Sequence, residues 1–356
     1  MLRSGLKKFK NNLGEKISRH LKLPLAKPQG VDFMITGECN YHCVHCNIWQ
    51  EQGQPDLDLV CWQKIITDLR QWLGADFPVS VNGGEPLMRK DILEIINFLH
   101  KNNFQVTLVT NGYLIDEVMA QKLVSSGLSE IRISLYSLSP ELYNQMRGVA
   151  DAHQKTLAAL KFLKQEKNKQ NSQVKICLAL LINAKNIGPK ALDLINWAKE
   201  QGFHVLIQAL DENFTGEGSE ETWYEKNPFW PRDKEQINNF LDQIIAFKKQ
   251  DFKIDNTFKT LEAFKQYFLN PKASAGINCS VGYRTMNINP QGQLFFCFKT
   301  SNTPKSLADY SAQELWRSSE LEAKRKLVSD CSKICRIRCY YQDNLLDKTL
   351  NFLRKE

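Results

Sequence analysis

Ten cysteines are spread through this chain, and eight of them fall into two groups: Cys39, Cys43 and Cys46, then Cys279, Cys297, Cys331, Cys335 and Cys339. The first group lies in Gly37-Glu38-Cys39-Asn40-Tyr41-His42-Cys43-Val44-His45-Cys46, a Cys-x3-Cys-x2-Cys spacing. Three thiolates spaced this way can converge on one metal centre from a single loop. On a four-iron cube they leave one iron open for a substrate or cofactor. A closed structural zinc site wants a fourth protein ligand, which His42 or His45 would have to supply. Spacing alone leaves both readings open.

The second group spans a hairpin expected at 284–297, which turns at Asn289-Pro290-Gln291-Gly292 and gives the pattern Cys-x12-Gly-x4-Cys from Cys279 to Cys297. Cys331, Cys335 and Cys339 then recur at intervals of four, so a continuous helix would carry them on one face. Zinc is again the plain alternative and would make this region purely structural. The other two, Cys61 and Cys177, sit inside apolar runs and read as small core residues.

Gly83-Gly84-Glu85-Pro86 closes the second strand-like segment, one strand–helix unit after the cysteine loop. Paired glycines let a ligand approach the backbone closely. Glu85 can accept a charge-assisted hydrogen bond from an ammonium group. Taken alone, a tight turn explains the same tetrapeptide. Taken with a Cys-x3-Cys-x2-Cys loop directly after strand one, it resembles the radical S-adenosylmethionine superfamily.

That resemblance implies that Cys39, Cys43 and Cys46 hold a [4Fe-4S] cluster whose open iron chelates S-adenosylmethionine. An electron from a reductant such as flavodoxin or ferredoxin would then cleave the sulfonium to a 5′-deoxyadenosyl radical, which abstracts a hydrogen atom from the substrate. It also implies cofactor contacts from Gly83, Gly84, Glu85 and Pro86, from Asn111 in Thr110-Asn111-Gly112 at the end of strand three, and from Ser134 in strand four. Arg147, in Met146-Arg147-Gly148, would meet the carboxylate or ribose of the cofactor. The plainer readings are a satisfied strand hydroxyl for Ser134 and a surface ion pair for Arg147. Where many members carry an acid soon after the strand-four serine, this chain has Tyr136.

The second cysteine group resembles the C-terminal SPASM module or its shortened form, twitch. Five cysteines are fewer than a full module uses, which implies one auxiliary [4Fe-4S] cluster held by Cys279, Cys297 and two of Cys331, Cys335 and Cys339. A filled cluster would conduct or accept electrons; one with an open iron would bind substrate. Members with this module act on peptides and proteins and also on small molecules, and a lipid-linked substrate is a further option. The peptide-modifying ones frequently add a leader-binding domain, for which about 30 N-terminal residues are too few. Tyr136, Asp211, Glu212 and Tyr224 are the polar groups near strand ends or in the connector that a substrate could meet.

The elements that must position these residues alternate along the chain. Strands are expected at 31–36, 78–83, 105–110, 130–137, 174–181 and 204–210, with amphipathic helices near 57–73, 90–102, 116–126, 152–166 and 188–201. Near-continuous apolar strands alternating with helices indicate a parallel sheet covered by helices. Six such units make a partial (β/α)6 TIM-like barrel, with active residues at the C-terminal ends of the strands. A doubly wound open sheet has the same rhythm. The expected organisation is a basic amphipathic N-terminal helix (1–29), the barrel (30–212), a connector with linking helices at 233–249 and 256–269 (213–275), a small α+β cysteine-rich module (276–342) with a helix near 311–328, and a C-terminal helix (343–356).

Composition bounds the remaining functions. Hydrophobic residues at 42% and charged residues at 24% describe an ordinary globular protein. Residues 1–28 hold Arg3, Lys7, Lys8, Lys10, Lys16, Arg19, Lys22 and Lys27 against Glu15, which leaves the rest of the chain near neutral. A nucleic-acid-binding surface is therefore not expected. Without a signal-like apolar run the expected location is the cytoplasm, where close cysteines bind metal or do redox work more often than they form disulfides. The competing function class is a non-catalytic protein using zinc or clusters structurally.

Leu2, Leu6, Phe9, Leu13, Ile17 and Leu21 recur at helical spacing beside this basic charge. The stripe either packs on the barrel or lies on an anionic membrane face. In the second case the purified protein sediments with anionic liposomes and loses that association in high salt; protein left in the supernatant at low salt rules it out.

Overall fold

Six parallel strands lie side by side in the order in which the chain makes them: β1 (Gly30–Met34), β2 (Phe77–Asn82), β3 (Phe104–Thr110), β4 (Glu130–Ser134), β5 (Lys175–Ile182) and β6 (His204–Ala209). The computed structural model describes residues 14–335 except 15–16, 19, 22, 51–54, 213–221, 275–278 and 298–299. Most of the expected helix at 1–29, the expected helix at 343–356 and Cys339 lie outside the described residues. Between the strands run α1 (Leu59–Leu73), α2 (Ile92–Lys101), α3 (Glu117–Ser125), α4 (Pro140–Arg147), α5 (Ala152–Lys169) and α6 (Pro189–Gln201). Because every crossover steps in the same direction and such connections are right-handed, all the helices fall on one face. A doubly wound sheet reverses its strand order. The sequential order therefore decides for the partial barrel.

Helix α4 lies inside a stretch with no expected helix, although its signals are local: Ser139 accepts from the Leu142 amide, Pro140 opens the helix and Gly148 ends it at φ 70°. The strands also differ from near-continuous apolar runs. In β1–β4 apolar residues largely alternate with polar ones; Val31, Phe33, Val79, Val81, Val106, Leu108, Ile131 and Ile133 are buried under the helices. The intervening Asp32, Ser80, Asn82, Thr107, Arg132 and Ser134 are half-buried on the concave face. Only β5, with seven of its eight residues buried, keeps a continuous pattern.

At the N-terminal end of the barrel this polar face is closed by an ion network. Lys175 bridges Glu130 (2.6 Å) and Asp255 (2.9 Å), Arg132 bonds Glu130 (2.5 Å), and His204 Nδ1 lies 2.9 Å from Asp255. Burial raises the Asp255 carboxyl, but His204 and Lys175 more than offset that and hold it well below the usual range. Cys177 is buried here, with its sulfur 3.6 Å from Asp255; Cys61 instead sits half-buried in the first turn of α1, where its amide bonds the capping Asp58. Asn256 continues the ladder at the β6 edge, accepting from the Ile207 amide and donating to its carbonyl. An exposed edge is thereby covered.

The linking helices are α7 (Trp223–Lys226), α8 (Lys234–Lys249) and α9 (Phe258–Leu269). The hairpin forms as β7 (Thr285–Ile288) and β8 (Leu294–Phe295), preceded by α10 (Val281–Arg284). It does not stand in a sheet of its own. β7 pairs parallel with β1, Gly30 opposite Thr285 through Phe33 opposite Ile288, so the cysteine-rich region extends the barrel sheet to eight strands. The helix expected at 311–328 is two, α11 (Ala312–Trp316) and α12 (Ser319–Ser329), because Ser318 accepts from the Leu321 amide and starts a new helix. Buried Arg325 of α12 donates to the carbonyls of Gly282 (2.8 Å) and Trp316 (2.6 Å), fixing α12 on α10.

Within the concave face, burial pushes the Asp32 carboxyl up to about 6, only partly relieved by Ser80 and Arg132. A raised acid contributes stability below its unfolded value, and that contribution is lost as pH climbs through 6. Asp32→Asn should therefore raise the unfolding free energy at pH 7.5 by about 2 kcal/mol and leave it nearly unchanged at pH 4. Denaturant titrations at the two pH values check this, and a variant less stable than wild type at pH 7.5 contradicts it.

Candidate active site

The cysteine loop leaves β1 at the C-terminal end of the sheet and is held by backbone bonds on two sides. On one side the Gly84 amide donates to the Thr36 carbonyl (2.9 Å) and the Glu85 amide to the Glu38 carbonyl (2.7 Å). On the other the His42 amide donates to the Arg147 carbonyl (3.2 Å) and the Val44 amide to the Met146 carbonyl (3.1 Å). Asn40 accepts from the Asn111 side chain at 2.7 Å. The glycines are explained by these contacts. A Cβ on Gly83 would overlap the Thr36 carbonyl oxygen, and one on Gly84 the Glu38 carbonyl oxygen; one on Gly148 would collide with the carbonyl of His42. Gly83 and Gly84, expected to let a ligand approach, make room first for the cysteine loop.

Glu85 is 1% exposed. Its carboxylate accepts from the Thr110 hydroxyl (2.7 Å), the Leu87 amide (3.1 Å) and the Asn111 amide (2.7 Å). Burial raises it, and these three donors pull it back. The carboxylate thus ties the end of β3 to the turn after β2. Neither Glu85 nor Pro86 lines the cavity described next, where the sequence reading expected both to meet a cofactor; Pro86 opens a short 3-10 turn and is buried with Leu87.

Beside the loop lies a cavity of about 230 Å³. It gathers Cys39, Cys43 and Cys46 with Gly83, Gly84, Asn111, Ser134 and Arg147, residues contributed by five different segments of the barrel. Tyr136 and Asp211 also line it, whereas Glu212 and Tyr224 do not; Tyr224 packs among Trp223 and Trp230. Tyr41, His45, Asn82, Thr110 and Gln208 complete the polar wall. Asn82 and Gln208 carried no motif. Their signal was only the inward phase of polar residues on strands, which a parallel sheet read as apolar throughout conceals.

Arg147 is not a surface ion pair. It is 5% exposed, and its guanidinium lies over the rings of Tyr41 (4.7 Å), Tyr136 (5.0 Å) and Tyr143 (5.7 Å). Its Nη1 donates to the Tyr136 hydroxyl at 2.9 Å. Burial pushes the Cys39 thiol up to about 12 and also raises Cys43, while Arg147 lowers both. Such thiols stay protonated until a metal's charge replaces the proton, so loading a metal here releases protons. Burial first, then Arg147, drives the His45 imidazole down to about 3, which leaves it neutral.

Of the second cysteine group, Cys279 precedes α10 and Cys297 follows β8; Cys331 and Cys335 follow α12 in irregular chain. A continuous helix carrying these last two on one face does not form, since α12 ends at Ser329. The Trp223 indole donates to the Ile334 carbonyl at 3.4 Å, tying the segment before Cys335 to the linking region.

A family model described as "Radical SAM superfamily" matches residues 33–187. The chain is 23% identical over 333 residues to an AdoMet-dependent heme synthase of Methanosarcina barkeri, covering 88% of this chain and 89% of that one. It is 26% identical over 318 residues to the mycofactocin maturase MftC of Mycolicibacterium smegmatis, covering 87% and 74%. Among solved structures, SuiB of Streptococcus suis bound to the precursor peptide SuiA superposes with a TM-score of 0.66 at 17% identity, over 92% of this chain and 75% of that one. The last likeness is one of fold.

The backbone contact at Gly84 admits no side chain, so Gly84→Ala must push the loop away from the turn. We expect that variant, reconstituted anaerobically with iron and sulfide, to bind less than half the iron of wild type while keeping its helical circular dichroism. Wild-type iron content would show that the close approach does not matter.

Proposed function

We propose that the protein, whose residues 33–187 match the model described as "Radical SAM superfamily", is a radical S-adenosylmethionine enzyme that acts on a peptide. Cys39, Cys43 and Cys46 would hold a [4Fe-4S] cluster, and the observation that carries this is their convergence with both glycines on one cavity. Zinc fits less well. A tetrahedral thiolate site at 2.3 Å per bond keeps its sulfurs roughly 3.8 Å apart. Among the described residues the only trio of such ligand atoms within 4.8 Å of one another is Glu130, Cys177 and Asp255, where the Lys175 ammonium already bridges the two carboxylates. The three loop thiols do not all lie that close to one another.

When bound, the cluster and S-adenosylmethionine supply one-electron cleavage of a sulfonium and the carbon radical that abstracts hydrogen. The chain's own part is to bind, orient and enclose. Arg147 offers its remaining N–H groups to a carboxylate, Asn111 and Ser134 present a neutral amide and hydroxyl, and the Gly83-Gly84 backbone forms part of the wall. The aliphatic Val109, Leu181 and Leu210 help to exclude water from the same space.

The peptide assignment draws on SuiB, solved with a precursor peptide, and on the cavity's charge. Among the described lining residues Arg147 is the one fixed cation and Asp211 the one carboxylate; Asn82, Ser134 and Gln208 are neutral hydrogen-bonding groups. That wall suits amide and hydroxyl chemistry better than a polyanion or a tetrapyrrole with its carboxylates, which want several cations. Cys279, Cys297 and two of Cys331, Cys335 and Cys339 would hold an auxiliary [4Fe-4S] cluster that takes up electrons.

Anaerobic reconstitution should give brown protein with roughly eight irons per chain, and reduction with S-adenosylmethionine present should release 5′-deoxyadenosine. Cys43→Ala should abolish that release and lower iron by about half. Zinc without iron in the purified protein points instead to a structural metal protein, and turnover of a porphyrin but of no peptide overturns the substrate class.

A further inference from the structure

The hydroxyl of Tyr136 stands between two other groups of the cavity wall. It accepts from Arg147 Nη1 at 2.9 Å and lies 3.2 Å from His45 Nε2. Arg147 has only hydrogens to give, so the phenol oxygen is the acceptor in that pair. Its own proton is then free for an acceptor, and His45 Nε2, 3.2 Å away, is the one in reach. The ring meets His45 edge-on at 5.2 Å and Arg147 face-on at 5.0 Å. The backbone beneath is fixed as well, because Asn186 donates to the Tyr136 carbonyl at 2.9 Å.

Among the described residues two buried polar atoms at this hub have no hydrogen-bond partner: Arg147 Nε and His45 Nδ1. With His45 Nε2 accepting, Nδ1 carries the ring proton, so both atoms are donors. Buried donors without partners destabilise the protein unless a ligand or water satisfies them. They belong to cavity-lining residues whose orientation one phenol controls.

We propose that Tyr136 is a positioning residue: through a single hydroxyl it fixes the Arg147 guanidinium and the His45 tautomer, so that both present donors to the molecule bound beside the cysteine loop. The side chain acts through its neighbours and takes no part in bond making. Its aromatic ring holds Arg147 by stacking, and its hydroxyl sets the rotation that stacking alone leaves loose. This rests on the cavity being the cofactor site, and it assigns a role to the tyrosine found where many relatives of the family carry an acid.

Tyr136→Phe separates the two functions of the side chain, since it keeps the ring and removes the oxygen. Equilibrium binding of S-adenosylmethionine to the reconstituted variant should weaken about five- to tenfold, the effect of one to two lost hydrogen bonds, with iron content and melting temperature unchanged. In the metal-free full chain, ring-nitrogen NMR should show His45 in the Nδ1–H tautomer in wild type and a tautomer mixture in the variant; His45→Gln identifies the resonance. Arg147→Lys, with its point charge, should lose affinity by at least as much, because a lysine cannot span the same hub. A Tyr136→Phe protein that binds S-adenosylmethionine within twofold of wild type, or that leaves the His45 signals unmoved, overturns the proposal. The NMR arm needs no cluster, so it decides about Tyr136 even if the wild-type protein holds no iron and the enzymatic reading fails.

Discussion

Two short backbone hydrogen bonds, Gly84 to Thr36 and Glu85 to Glu38, hold the turn after β2 against the loop after β1 at a separation that no side chain permits. Everything in the cavity depends on that contact. It fixes the start of the cysteine loop, and the bonds from His42 and Val44 to the end of α4 fix its middle. A loop of ten residues with few apolar anchors would otherwise lose its three thiols to conformational entropy. Glycine is needed twice here for packing against protein backbone, and a third time at Gly148, where a left-handed turn passes the carbonyl of His42. Glu85 then completes the assembly from below by tying β3 to the same turn.

The cavity's electrostatics follow from the same enclosure. Burial holds the Cys39 and Cys43 thiols in their neutral form, and the one guanidinium nearby, held among three tyrosine rings, lowers their cost of ionisation without removing it. On the proposed reading a multivalent metal would replace those protons. Opposite, at the N-terminal end of the strands, the carboxylates are matched by Lys175, Arg132 and His204, so the two ends of the barrel differ in kind: one is charge-satisfied and structural, the other carries unmatched donors. That division is the usual one for strands whose C-terminal ends do the chemistry.

The C-terminal region is more closely joined to the barrel than its composition implied. β7 pairs with β1, the strand that delivers the cysteine loop, so the two cysteine groups are attached to neighbouring strands of one sheet. Arg325 and Trp223 fasten the segments leading to Cys331 and Cys335. An electron carrier in that position would sit on the same rigid sheet as the cavity and would not reach it across a flexible linker.

Motif and period were legible in the chain alone. The Cys-x3-Cys-x2-Cys loop, the double glycine, six strands within about three residues of their observed bounds, and the hairpin at Asn289–Gly292 are local patterns, set by spacing and turn chemistry between near neighbours. The split at Ser318 and the helix at 140–147 were local too, but their capping signals were outweighed by a longer periodic pattern in one case and by the expected end of a strand in the other. What only the tertiary structure decided involves residues far apart in sequence: that the strands add in sequential order, that β7 joins β1, that Glu85 turns inward to β3, and that Arg147, Tyr136 and His45 meet around one oxygen. Partners far apart in sequence, as many as 255 residues for Gly30 and Thr285, leave no periodic mark on either segment, because each side chain satisfies its own strand or helix equally well whether or not the other arrives.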